Sequence, residues 1–187
     1  MTRSVEKRKP PTPGLDALPA TDAEGRHLAV IEAKAGSRNK YKYDPHLQAL
    51  VLHKALPLGT SFPYCFGFVP STLGEDGDPL DVLVFMDEAA EPGTVVPCRL
   101  VGIIEAQQTK DGRTMRNDRL LAVADGSHRY RECRRLADID AGVLDEIERF
   151  FEFYNAQRGT AFEPLRRAGR KAAERAVEAG RHARQKA

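Results

Sequence analysis

The most chemically informative residues are three carboxylates in the segment EDGDPLDV, Glu75 to Val82. Asp76, Asp78 and Asp81 fall within six positions and lead straight into the apolar run DVLVFM. Like charges a few ångströms apart raise one another's pKa, so the cluster is costly at neutral pH unless cations or water offset it. Hard oxygen donors of this kind suit magnesium, manganese or calcium better than zinc. The plainer alternative is a solvated turn in which Asp and Gly fill their usual turn positions. Pro79 and the third carboxylate, Asp81, favour the metal reading. An EF-hand fits poorly, because its sixth loop position needs Gly and is Asp81 here, and because a strand, not a helix, follows.

Such a loop needs a rigid frame, and the apolar segments predict one made mostly of strands. His27–Ala33, Gln48–Leu56, Asp81–Met86, Gly93–Ala106 and Arg119–Ala124 are rich in Val, Ile and Leu, with Gly, Pro, Asn or Asp in the gaps. They follow one another without intervening helices, so an antiparallel sheet or small closed barrel is expected instead of a βαβ layer. From Val143 to Ala156, the residues Leu144, Ile147, Phe150, Phe151 and Tyr154 recur at helical spacing and predict an amphipathic helix. There is no internal repeat.

The chain has 187 residues, of which 41% are apolar and 30% charged, which fits one folded domain of ordinary size. No apolar run approaches the roughly 20 residues of a membrane helix. Met1 to Pro13 is basic but has no apolar h-region, so a protein that stays in the cytoplasm is expected. Cys65, Cys98 and Cys133 are widely spaced and form no CxxC pair, which predicts buried reduced thiols. Both ends are basic: residues 163–187 hold eight Lys or Arg against three Glu. A phosphate-seeking tail is one reading; a solvated helix, frayed beyond Gly180, is the expectation. The chain therefore divides into an N-terminal extension (1–26), a central barrel with its helix (27–162) and a basic helical tail (163–187).

The stretch Asp76, Gly77, Asp78, Pro79, Leu80, Asp81, Val82 resembles the signature of the soluble family I inorganic pyrophosphatases, Asp-Gly-Asp-Pro-hydrophobic-Asp-hydrophobic. Further landmarks follow the family's order. AVIEAKAGSRNKYKYD is similar to its opening strand, with Glu32, Lys40 and Tyr41; FPYCFGFVPSTLG is similar to the segment leading into the signature. RLVGIIEA, RNDRLLAV and FFEFY match the remaining landmarks, so the likeness covers residues 28 to 156.

The resemblance implies an OB-like five-stranded closed barrel with flanking helices that hydrolyses pyrophosphate with Mg²⁺, or Mn²⁺ in its place. It implies Asp76 and Asp81 as metal ligands, Asp78 as the base that takes a proton from a metal-bridging water, and Glu32 as support for that network. Lys40, Lys54, Arg119 and Tyr154 fall where the family holds phosphate. Asp111 and Asp118 are the candidates for the remaining metal carboxylates. The resemblance also implies a homo-oligomer, hexamer or dimer.

Departures are numerous. Lys42 stands where the family has an acid, Lys54 where it has arginine, and Phe66 where it has tyrosine. Asn117 falls at a metal position unless the alignment slips by one residue to Asp118. Asn155 replaces a lysine after the tyrosine, so Lys42 and Asn155 together exchange one cation between two places. The alternatives are a phosphohydrolase of the same fold with another substrate, or a barrel that binds nucleic acid through its basic tail. The absence of Trp and the confinement of aromatics to apolar segments weigh against nucleic acid.

Overall fold

The computed structural model describes residues 13–187. The first part of the expected N-terminal extension, residues 1–12, lies outside the described residues.

Five strands close into a ring. They are β1 (His27–Ala33), β4 (Cys65–Phe68), β5 (Asp81–Phe85), β8 (Arg119–Ala124) and β6 (Val95–Lys110), which returns to pair with β1. The far half of β6 also carries β7 (Arg113–Arg116) and β9 (Ala161–Gly169), and β2 (Asn39–Asp44) with β3 (Ala49–Ala55) form a separate hairpin. The expected five-stranded closed architecture is present.

Side chains on β5 and β8 alternate between two apolar clusters. Leu83, Phe85, Leu121 and Val123 join one, while Val82, Val84, Leu120 and Ala122 join the other. Burial on both faces explains why these strands read as unbroken apolar runs and not as alternating patterns. Helix α1 (Ala141–Ala156), capped by the Asp140 carboxylate on the Gly142 N–H at 2.8 Å, covers the first cluster through Leu144, Ile147 and Phe151.

Helix α2 (Arg170–Lys186) covers the second cluster with Ala173 and Val177. The expected solvated tail is thus an integral part of the fold. Small side chains at positions 173, 177 and 180 make a docking face, and the boundary expected at residue 163 falls inside β9. Antiparallel pairing also fails at one point: β5 and β8 run parallel, joined by the long β6–β7 crossover. The three cysteines are buried and free. Among the described residues, no helix is long and apolar enough to cross a membrane.

Candidate active site

Local irregularities in the strands aim the polar side chains into one cleft. β1 pairs with β4 through Ile31 with Gly67 and Ala33 with Phe66, which leaves Glu32 as the extra residue of a bulge. Bulges turn a side chain out of the regular alternation, and Glu32, 6% exposed, lies beside Lys40 with Oε2 3.4 Å from Nζ. Close approach of β4 to β1 requires Gly67, because a Cβ there would run into the Val30 carbonyl. A second bulge, in β3 opposite Lys40 and Tyr41, brings Lys54 into register with Lys40.

Parallel pairing of β5 with β8 matches Val82 with Leu120. The preceding residues, Asp81 and Arg119, are consequently neighbours, and Arg119 Nη1 lies 2.8 Å from Asp81 Oδ2. Arg119 is further held by the backbone carbonyls of Asn117 and Asp118, both at 2.9 Å, and by the Asn117 side chain. Its guanidinium stacks over Phe151 at 4.6 Å and Phe162 at 5.0 Å, while Lys40 Nζ lies 4.5 Å over Phe66.

The cleft, about 280 Å³, is bordered by Asp76, Asp78 and Asp81 and by Lys40, Lys54, Arg119 and Tyr154. Seven of the ten residues singled out from the sequence therefore converge there, and Glu32 reaches them through Lys40. Burial raises the Asp76 carboxyl above its ordinary value; the Asp78 N–H opposes the shift, and the charges of Asp81 and Asp78 reinforce it. Burial likewise raises Glu32, with Lys40 opposing. Two buried donors on residues that line the cleft, the Tyr154 hydroxyl and Arg119 Nε, have no hydrogen-bond partner among the described residues.

Asp111 is not brought to the cleft. With Gly112 it forms the β6–β7 turn, at φ 51° and 75°, the conformation for which an Asp-Gly pair is suited. Asn117, not Asp118, borders the cleft. Asp118 accepts from the Ala106 N–H at 2.9 Å, pairs with Arg116 at 3.0 Å, and borders an adjacent cavity shared with Asp76 and Asp81.

Among the described residues, no group of three His, Cys, Asp or Glu side chains is gathered closely enough to hold a metal ion. Lys42 and Arg119 sit on Asp78 and Asp81. The donor chemistry still fits a hard divalent cation, since Asp76 and Asp81 share two cavities and Asp76 forms no salt bridge among the described residues.

Sequence reading missed Lys110, Arg158 and His53, which also border the cleft, and Arg184 of α2, which pairs with Asp16 at 3.1 Å on its adjoining side. Lys110 and Arg158 lie beyond the segments read from sequence, Gly93–Ala106 and Val143–Ala156, although Lys110 is the last residue of β6, and His53 is aimed by its bulge. Lys42 and Asn155 do border one cleft, although the Asn155 amide donates to the Phe151 carbonyl at 2.8 Å.

A family model described as inorganic pyrophosphatase matches residues 29–185. An inorganic pyrophosphatase of Thermus thermophilus is 41% identical over 144 residues, spanning 76% of this chain and 79% of the relative. One from Nostoc sp. is 40% identical over 140 residues, spanning 75% and 80%. The crystal structure of the Thermus thermophilus inorganic pyrophosphatase superposes with a TM-score of 0.84 at 36% identity, covering 92% of this chain and 99% of that one. The chain belongs to the inorganic pyrophosphatase family.

Proposed function

We propose that the cleft hydrolyses inorganic pyrophosphate to two phosphates. The observation that carries this reading is the union of an acidic loop and a wall of cations around one cavity, two of whose lining residues, Arg119 and Tyr154, keep a buried donor without a partner among the described residues. A polyanion with acceptor oxygens satisfies both the cations and the orphaned donors. Lys40, Lys54, Arg119 and the Tyr154 hydroxyl bind the phosphoryl oxygens and hold them while charge moves toward the leaving phosphate. Asp78 accepts a proton from the attacking water as its oxygen bonds to one phosphorus, the bridging P–O bond breaks, and the proton passes to the departing phosphate. Glu32, fixed by Lys40, orients that water network.

Asp76 and Asp81, with Asp118 on the adjacent side, are the donors for a divalent cation, magnesium or manganese. Such a cation, when bound, neutralises phosphoryl oxygens and acidifies the attacking water.

A second reading, hydrolysis of other phosphoanhydrides in the same cleft, is favoured by the additional cations Lys42, Lys110 and Arg158. The enzyme is read as cytoplasmic and self-associating, as a dimer or hexamer; exposed Leu47, Leu52 and Leu58 in and beside the β2–β3 hairpin support self-association. The test is phosphate release from pyrophosphate, tripolyphosphate and a phosphate monoester side by side, with salt-dependent oligonucleotide binding as the competing assay. Pyrophosphate as the fastest substrate supports the reading; oligonucleotide binding without phosphate release refutes it.

A further inference from the structure

Three of the four acids at this site already have a cation from the chain itself. Glu32 has Lys40 at 3.4 Å, Asp81 has Arg119 at 2.8 Å and Asp78 has Lys42 at 2.6 Å. The pairs differ in freedom. The Arg119 and Asp81 side chains are only 4% and 17% exposed, and backbone carbonyls lock the guanidinium in place. The Lys42 and Asp78 side chains are 48% and 51% exposed, and the Lys42 ammonium makes no other hydrogen bond among the described residues. A lysine is a point charge on a flexible four-carbon stem, so this pair can open without disturbing the fold.

We propose that Lys42 is a displaceable internal counter-ion that makes divalent-cation binding depend on the phosphate anion. With the cleft free of anion, the ammonium neutralises Asp78 and repels a divalent cation approaching the neighbouring Asp76 and Asp81. Pyrophosphate offers Lys42 a more highly charged partner. The ammonium moves to the anion, Asp78 is released for proton transfer, and the acidic loop regains the charge that attracts the metal. Linkage makes the effect reciprocal, because whatever factor the anion adds to cation affinity, the cation adds to anion affinity. Lys42 thus acts by exchanging partners, from Asp78 in the anion-free cleft to the phosphate anion when it is bound. The inference rests on the pyrophosphate reading.

The test is calorimetric titration of the full chain with magnesium, with and without the non-hydrolysable methylenediphosphonate. Wild type, Lys42→Met and Lys42→Arg are compared, and circular dichroism checks that all three fold. For wild type, the diphosphonate should tighten magnesium binding by about fivefold or more, the lower end of typical couplings. Lys42→Met should bind magnesium alone about fivefold tighter than wild type and lose most of the enhancement. Lys42→Arg should keep the wild-type pattern, which a merely structural role of the lysine would not require. Equal magnesium affinity and equal enhancement in wild type and Lys42→Met would overturn the proposal, and intact pyrophosphate hydrolysis would leave the functional reading standing. No diphosphonate binding together with no phosphate release would overturn both.

Discussion

Lys40 and Lys54 stand directly opposite each other across the β2–β3 ladder, in register because of the bulge beside them. Like charges in that position oppose each other, and their surroundings divide them. Burial pulls Lys40 down, but the carboxylates of Glu32 and Asp81 outweigh it and hold the ammonium above its ordinary value. Burial, Lys40 and Arg158 push Lys54 down to about 7. One lysine is a permanent cation and the other titrates near neutrality.

Lys54 should therefore give pyrophosphate binding a pH dependence. The protonated form attracts the anion, so its contribution is present below pH of about 7 and is lost as pH rises through that value. KM should increase between about pH 7 and 9 in wild type relative to Lys54→Arg, whose guanidinium stays charged throughout. Parallel KM profiles for the two proteins would remove Lys54 from the substrate site.

Asp78→Asn should lower kcat by roughly 10²–10⁴-fold, because an amide cannot accept the proton. The lost partner of Lys42 is half exposed, and such pairs contribute about 0–1 kcal/mol, so thermal stability should barely change. Measuring kcat and Tm on the same preparation separates the two effects. An unchanged kcat would reject the base assignment.

Gly180 of α2 anchors the acidic loop from behind. Its carbonyl accepts from the Leu73 N–H at 3.0 Å, and a Cβ on it would lie 2.8 Å from Leu80 Cδ1, next to Asp81. Gly180→Val should destabilise the fold by about 1–3 kcal/mol through overpacking and lower kcat by displacing the loop. Urea unfolding with a kcat measurement checks this; wild-type values for both would show that α2 does not position the signature.

Four of the five ring strands (β1, β5, β6 and β8) and α1 were legible because their apolar residues announce burial directly; β4, four residues with Gly67 inside, was too short to read as a strand, and the segment read at Gln48–Leu56 is the hairpin strand β3 outside the ring. β2 was hidden: Asn39, Lys40, Tyr41, Lys42 and Tyr43 carry a polar pattern suited to a half-exposed hairpin, not a core strand. The acidic loop was legible from local spacing, whereas the Asp81–Arg119 pair depends on parallel register between segments nearly 40 residues apart, a long-range property. Glu32 could be named from its position, but the bulge that aims it exists only once β1 meets β4. Arg and Lys in residues 170–186 masked the small-residue face at Ala173, Val177 and Gly180, since charge dominated a segment whose contacts are made by its least conspicuous side chains.

Hydrolysis of pyrophosphate in this cleft depends on a divalent cation held by the acidic loop. The decisive measurement is phosphate release from pyrophosphate, followed with magnesium, with calcium and with excess chelator. Two phosphates should be released per pyrophosphate with magnesium, release should be slower with calcium, whose larger radius polarises water less, and none should occur with chelator. Equal turnover in excess chelator, or no release at any magnesium concentration, would contradict it.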